Sequence, residues 1–376
     1  MKTYSMICAV LALVVVGCNT SDEIPGFEEE KTVQSDYNLI LNTNGILSTQ
    51  HLNADADSMD FNPDEADAFI DVALPELTYR NEDVLGFYHE QIDCSGKVTL
   101  HDFKEDTSNE ITVFGDISDC NTLTVTGFTH TSSTVYLSYV IEVNSKNKTY
   151  FVRAIDITAG EENFVDIELS KNPLQMVFTN NRVFVLTFDE KETNENGLVT
   201  IDINANTIIN EMNLGYDARQ LFVDVNKDVI IGYDSLHTIL NSKTFVLTYV
   251  NYEDGKEPNF ATSKATFFNS NGNLYYGRPT TDSVFPSIPA IYDFGQRTVY
   301  LYYYENFLTE AQMQFEYEIA NTTMVSYDNS NGLLLVGYSK ATGAGKGGLL
   351  RIKVAPEPEL IDNINLDGVP YAIYIK

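Results

Sequence analysis

The stretch VTIDINANTIINEMNLGYDARQLFVDVNKDVIIGYD, residues 199–234, decides the fold class of this chain. It holds two apolar segments joined by a polar, Asn-rich turn, followed by a second pair of the same kind. Short alternating segments rich in Val, Ile, Phe and Tyr between Asn, Asp and Gly turns are typical of antiparallel β-hairpins. The stretch therefore predicts two consecutive hairpins.

The second hairpin of this stretch recurs along the chain, and a further hairpin lies between successive copies. The copies are residues 123–140, 172–187, 218–234, 262–278 and 322–339. Their second strands begin near Val135, Val183, Val229, Leu274 and Leu333, and extending the spacing backward gives Val84 and Leu39. About four antiparallel strands per 40–50 residues are typical of one β-propeller blade. Seven such strand starts, one for each period, predict an all-β propeller of seven four-stranded blades.

The two ends of the repeat region also fit a closed ring. The C-terminal segment PYAIYIK (370–376) would pair with the N-terminal segment YNLILNT (37–43), which protects the last sheet edge from strand addition. Residues 37–82 are the least regular part, so six blades with an N-terminal strand extension are one alternative. A β-sandwich or several separate β-domains are another.

These periods resemble the seven-bladed YVTN or quinoprotein-dehydrogenase-like propellers, over roughly residues 130–376. Secreted lipoproteins of Bacteroidota often carry such domains, so the resemblance implies a similar protein here. No catalytic motif of that family can be matched to residues of this chain. The chain has no Trp, whereas WD-type repeats and the docking sites of quinone-cofactor propellers depend on Trp. No cofactor is therefore predicted.

The first residues, MKTYSMICAVLALVVVGC (1–18), predict a secretory signal. The apolar run Met6–Val16 is too short to span a bilayer, which needs about 20 apolar residues. The segment ending in Gly17-Cys18 resembles a bacterial lipobox, which implies cleavage between these two residues and a lipid on the Cys18 thiol. Two or three acyl chains would then attach the protein stably to the membrane.

The lipobox defines three predicted regions: a signal peptide over 1–17, an acidic tether over 18–36 and the propeller over 37–376. Asp22 and Glu23 directly after the cysteine look like the surface-export signal of Bacteroidota lipoproteins. An ordinary solvated linker would explain them equally well. The predicted location is the outer membrane, with the protein exposed at the cell surface.

The net charge of the chain excludes two classes of binding partner. The chain carries 54 acidic and 23 basic side chains, a formal net charge of -31. Nucleic acid and anionic lipid surfaces repel such a protein, so neither is a predicted partner. A glycan, a peptide or an envelope protein remains as a possible partner, with the membrane contacted through the lipid.

Two further sites are predicted from residue type. Cys94 and Cys120 remain after the signal and the lipidated cysteine are set aside, and an oxidising compartment favours a disulfide between them. An acidic segment over 53–67 includes Asp55, Asp57 and Asp60, whose carboxylates could bind Ca²⁺. A solvated acidic loop is the alternative, because the segment lacks the EF-hand glycine.

The longest period carries two insertions, at 278–289 and 305–314, and insertions in a repeat array often carry binding. Tyr275, Tyr276, Arg278, Tyr302 and Tyr304 lie beside them and are the predicted ligand-binding residues. Exposed Tyr with one Arg suits a sugar ring or a protein surface. Packing between blades is the alternative role for these tyrosines.

Three functions follow as hypotheses. The first is a binding or interaction module, because propellers present loops on a rigid ring and no HExxH, GxSxG or other catalytic signature occurs. The second is a propeller-type lyase or hydrolase whose carboxylates converge in the central channel from different blades. The third is a scaffold subunit of an outer-membrane complex.

Overall fold

The computed structural model describes residues 34–63, 67–69, 72–92, 94–119, 122–144, 147–159, 163–263 and 266–376. The predicted signal peptide, the Gly17-Cys18 cleavage and lipidation site and most of the acidic tether lie outside the described residues. So does Cys120. The statements about these parts stay predictions.

The described strands form seven antiparallel sheets, which we number as blades one to seven. Blade one combines β1 (Ser35–Thr43), β2 (Ile46–Ala54) and β3 (Met59–Phe61) with the short β4 (Val72–Ala73) and the C-terminal β29 (Val369–Ile375). Blade two holds β5 (Leu77–Asn81), β6 (Val84–Glu90), β7 (Gly96–Asp102) and β8 (Thr107–Val113). Blade three holds β9 (Leu123–His130), β10 (Thr134–Asn144), β11 (Asn147–Asp156) and β12 (Phe164–Leu169).

The remaining four blades follow the same order. Blade four holds β13 (Asn172–Thr179), β14 (Arg182–Phe188), β15 (Asn196–Asp202) and β16 (Thr207–Gly215). Blade five holds β17 (Gln220–Val223), β18 (Val229–Gly232), β19 (Leu236–Leu240) and β20 (Leu247–Asn251). Blade six holds β21 (Thr266–Phe268), β22 (Asn273–Pro279), β23 (Ser287–Asp293) and β24 (Thr298–Leu301). Blade seven holds β25 (Ile319–Asp328), β26 (Leu333–Lys340), β27 (Gly347–Lys353) and β28 (Glu359–Leu366).

The ring closes through strands from opposite ends of the chain. β29 is the inner strand of blade one and pairs antiparallel with β1, so that Tyr37 lies opposite Ile375 and Leu39 opposite Ile373. The predicted closure and the seven four-stranded blades are confirmed, and the six-blade and sandwich alternatives are wrong. β1 begins at Ser35, two residues before the predicted start of the propeller.

The order of strands defines two faces of the ring. Within each blade the strands follow one another from the centre outward, and the inner strands pack against their neighbours, as β5 does with β9 and β25 with β29. The turns after the first and third strands therefore lie on one face, which we call the turn face. The connections after the second strand and between blades lie on the other, which we call the loop face.

The hydrophobic core lies between neighbouring blades and is filled by aliphatic side chains, Tyr and Phe. Two buried arginines occupy corresponding places in blades three and seven. Arg153 on β11 pairs with Asp166 on β12, and Arg351 on β27 pairs with Asp362 on β28. Bidentate pairing of this kind satisfies a buried guanidinium that would otherwise destabilise the fold. No helix in the described part of the chain is long and apolar enough to cross a membrane.

Candidate functional site: the loop face of blades six and seven

The predicted ligand-binding tyrosines belong to the core rather than to an exposed surface. Tyr275, Tyr276 and Tyr304 are buried. The Tyr275 ring stacks on Tyr327 with centroids 5.0 Å apart, and the Tyr304 hydroxyl lies 2.7 Å from the Thr322 hydroxyl. Neighbouring blades cover both faces of β22, so two consecutive tyrosines are buried although they point to opposite sides. An exposed tyrosine surface at these positions is therefore not formed.

The other two predicted residues lie at the edge of this core. Arg278 is half-buried and donates a hydrogen bond to the carbonyl oxygen of Glu257 at 3.2 Å. Tyr302 is mostly buried, and burial raises its pKa to about 12. Its remaining exposed surface borders a groove beside the outer strand β24.

The buried aromatic residues hold two connections of the loop face together. These connections, 280–286 and 302–318, are called the paired loops from here on. The rings of Phe285 and Tyr304 lie 4.9 Å apart, and the Ser283 hydroxyl donates to the Glu305 carboxylate at 2.9 Å. Met313 from the second loop is also buried. The paired loops are therefore anchored to the ring and to each other.

The tips of the paired loops are apolar and exposed. Val284 has 83% and Phe315 has 78% of its surface exposed. Both lie within or next to the insertions that the sequence singled out, but neither was among the predicted ligand-binding residues. Large apolar side chains held in the solvent by a packed base are typical of protein contact sites.

The paired loops also carry charge of one sign. Between residues 280 and 318, the acidic residues outside the turn face are Asp282, Glu305, Glu310, Glu316 and Glu318, and the one basic residue is Arg297, on the turn face. The two loops that carry the apolar tips thus hold five carboxylates and no Lys or Arg.

Other exposed apolar residues favour the same face. Of fifteen exposed large apolar residues among those described, eight lie in or beside connections of the loop face. These eight are Ile46, Leu74, Ile92, Val143, Leu174, Tyr216, Val284 and Phe315. The turns of the opposite face contribute Val225 and Val246. The remaining five lie on outer strands, so the apolar surface is concentrated on the loop face.

The central channel is crossed near the turn face. The Tyr79 hydroxyl on β5 accepts a hydrogen bond from the Phe178 amide on β13 at 2.9 Å, across the intervening β9. The Lys227 ammonium after β17 lies 3.3 Å from the Glu82 carboxylate after β5. These contacts join blades that are not neighbours and leave less room for a ligand at this end of the channel.

Carboxylates at the loop-face end of the channel contact their own blades. Glu76, just before β5, accepts a hydrogen bond from the Glu90 amide at 3.1 Å. Asp367, directly after β28 of blade seven, pairs with Lys346 of the same blade at 3.2 Å. Among the described carboxyl groups with a shifted pKa, only Asp224 has a raised one, caused by burial, and it lies in a turn-face hairpin. Asp224 directly follows the inner strand β17, in the hairpin that also holds Lys227.

The acidic segment that was predicted as a calcium site forms a turn. The Asp55 carboxylate accepts hydrogen bonds from the Asp57 and Ser58 amides at 2.9 and 2.8 Å, and these bonds lower its pKa. Asp60 lies on β3. No three His, Cys, Asp or Glu side chains within the described ranges are grouped so that they could hold a metal ion. The predicted calcium site thus has no support from this geometry.

The predicted disulfide involves connections on the same face. Cys94 lies buried in the connection between β6 and β7. The connection between β8 and β9 would carry Cys120, which is outside the described residues. The bridge stays a prediction.

Solved structures share this architecture. A candidate 6-phosphogluconolactonase from Bacteroides fragilis matches with a TM-score of 0.54 and 12% identity over 91% of this chain and 98% of its own. A second one, from Bacteroides uniformis, matches with a TM-score of 0.52 and 10% identity over 91% and 99%. A puromycin hydrolase matches with a TM-score of 0.50 and 9% identity over 89% of this chain and 54% of its own. The likeness shows a shared fold and nothing finer.

Sequence comparison adds no family. No protein-family description matches the chain, and no curated protein matches it. The YVTN or quinoprotein resemblance and the membership of a Bacteroidota lipoprotein group therefore stay interpretations of the repeat and of the N-terminal segment.

Proposed function

We propose that this protein is a lipid-anchored interaction module of the cell envelope, whose loop face binds a second envelope protein. The observation that carries the proposal is the pair of anchored loops with Val284 and Phe315 exposed at their tips. Full burial of such side chains in a partner would contribute roughly 1.5–3 kcal/mol each. Their packed base reduces the entropy that binding would otherwise cost.

Charge defines the partner's chemistry. The paired loops hold five carboxylates and no Lys or Arg, so the matching surface is an apolar pocket bordered by basic side chains. Complementary charge would speed association and exclude acidic partners. A protein surface offers this combination of a deep apolar pocket and a basic rim more readily than a glycan does.

The point at which the chain enters the ring is compatible with binding of a partner at the loop face. The Ser35 hydroxyl accepts a hydrogen bond at 3.1 Å from the side-chain amide of Asn331, which lies in a turn-face hairpin. The chain thus enters the ring at the turn face. A tether that joins there would leave the loop face free for a partner.

The test is crosslinked pull-down from solubilised outer membrane. Wild-type protein should capture one protein whose recovery falls at least about tenfold with Phe315→Ser or Val284→Ser, and also with Glu310→Lys. The matched control is Val246→Ser, because Val246 is 61% exposed on the turn face. Equal capture by all four variants would show that the loop face is not the contact.

The alternative class is a lyase or hydrolase. The names of three structural neighbours, two lactonases and a puromycin hydrolase, indicate hydrolysis for those proteins. A hydrolysis assay, combined with the pull-down, distinguishes the two proposals. The enzyme alternative predicts that the purified protein hydrolyses lactones or peptides. If it does, and if Phe315→Ser and Val284→Ser change neither this activity nor the capture of envelope proteins, the interaction proposal is wrong.

A further inference from the structure

A groove of about 720 Å³ runs along the outside of blade six. It lies between the outer strand β24 and the Val354–Pro358 turn of blade seven. The side chains that give it chemical character are Tyr300, Tyr302, Asn306 and Glu357. It is separate from the exposed tips of the paired loops.

The aromatic side of the groove is preformed. Tyr300 and Tyr302 are two residues apart, so their side chains point to the same side of the extended chain. Tyr300 is 42% exposed, and its hydroxyl donates to the Gln296 side-chain oxygen at 3.1 Å, which restrains the ring. Tyrosine rings offer an apolar face with a polar rim, and the faces of pyranose rings have matching C–H surfaces.

The polar side of the groove supplies hydrogen-bonding groups of both kinds. The Asn306 amide can donate and accept, and the Glu357 carboxylate accepts. Both residues are exposed to solvent. Adjacent sugar hydroxyls both donate and accept, so they match this pair. No Lys or Arg lines the groove, which disfavours acidic sugars.

We infer that this groove binds a neutral oligosaccharide, with a sugar ring against Tyr300 and hydroxyls bonded to Asn306 and Glu357. Sites for small molecules commonly combine aromatic walls with a few well-placed polar groups. The inference does not depend on the proposed protein partner, because the groove and the loop tips involve different side chains.

Affinity electrophoresis of the full mature protein tests this inference, with starch, galactomannan, arabinoxylan or mixed-linkage β-glucan in the gel. At least one of these should retard the wild type. The dissociation constant should rise at least about tenfold for Tyr300→Ala and Glu357→Ala, and should change less than about threefold for Tyr300→Phe. Thermal unfolding confirms that each variant is folded.

Two controls separate this site from others. Tyr249 occupies the outer strand of blade five and is 63% exposed, so Tyr249→Ala should bind as the wild type does. Phe315→Ser should also bind sugar normally while failing to capture the protein partner. Retardation by none of the four polysaccharides, or by pectin alone, overturns the inference, as does binding that both Tyr300→Ala and Glu357→Ala leave unchanged.

Discussion

His237 is enclosed by aromatic side chains in blade five. Its Nδ1 lies 2.9 Å from the Tyr252 hydroxyl, and its ring packs against Phe260, Tyr292 and Phe294. Burial lowers its pKa from the usual 6.5 to about 4. The histidine is therefore neutral in the folded protein under conditions in which an exposed histidine would be charged.

This burial predicts a loss of stability in mild acid. Between pH 6.5 and 4 the unfolded chain binds a proton at this position and the folded chain does not, so the free energy of unfolding falls as the pH falls. At about 1.4 kcal/mol per pH unit, His237 contributes roughly 2–3 kcal/mol of that loss by pH 4.5. Urea unfolding at pH 7.5 and 4.5 measures it.

His237→Gln is the matched variant, because the amide can still bond to Tyr252 but does not titrate. Its loss of stability between the two pH values should be smaller than that of the wild type. His101 and His130 also have pKa values lowered by burial, and they contribute equally to both proteins. An identical loss in the wild type and the variant would show that His237 does not cause the effect.

Individual residues also show which features of the site sequence reasoning could not predict. Tyr275 and Tyr304 are aromatic and lie beside insertions, but whether a neighbouring blade covers them depends on the packing of whole sheets. Val284 and Phe315 were not predicted as binding residues, because exposure of an apolar tip is a property of the folded loop. The sequence could thus predict which segments are inserted, but not which side chains they expose.

At the scale of elements, the blades meet through small residues on their second strands. A Cβ atom at Gly86 on β6 would lie 2.6 Å from the Phe128 ring on β9 of the next blade. At Gly337 on β26 it would lie 2.6 Å from the Pro370 side chain on β29. At Gly277 on β22 it would lie 3.0 Å from the Ser287 hydroxyl oxygen of the same blade and in ordinary contact, at 3.7 Å, with Thr322 on β25. The inner strand of the next blade can therefore approach the second strand closely at these positions, because glycine has no side chain.

Gly337→Ala should consequently weaken ring closure. The new methyl group would overlap Pro370 on the C-terminal strand, and overpacking of this kind typically costs about 1–3 kcal/mol. Gly115→Ala is the control, since a Cβ there meets nothing within 4 Å, and it should leave stability within about 0.5 kcal/mol. Denaturant unfolding compares them. If Gly337→Ala is as stable as Gly115→Ala, the contact with Pro370 does not limit closure.

The hairpins could be predicted because their determinants are local. The predicted strand starts at Val84, Val229 and Leu333 coincide with the first residues of β6, β18 and β26, where tight polar turns set the register. Leu39 is four residues inside β1, because that strand follows no hairpin turn. The paired loops could not be derived from the repeat, since they depart from it.

At the scale of the whole molecule, the ring carries far more negative than positive charge. The full chain has 54 acidic and 23 basic side chains, and the exposed ion pairs, such as Lys97–Glu110 and Lys227–Glu82, contribute little. Repulsion among the unpaired carboxylates therefore opposes the compact state. It also keeps acidic surfaces away from the loop face.

Salt should therefore stabilise the protein. Raising NaCl from about 10 mM to about 150 mM shortens the screening length from about 30 Å to about 8 Å, which weakens long-range repulsion more than contact pairs. We expect the free energy of unfolding to rise by about 1–2 kcal/mol, or a few degrees in Tm. Tetramethylammonium chloride should act equally, because screening does not depend on the cation. A fall in Tm with NaCl would contradict this account, and a rise confined to Ca²⁺ would instead indicate a specific cation site.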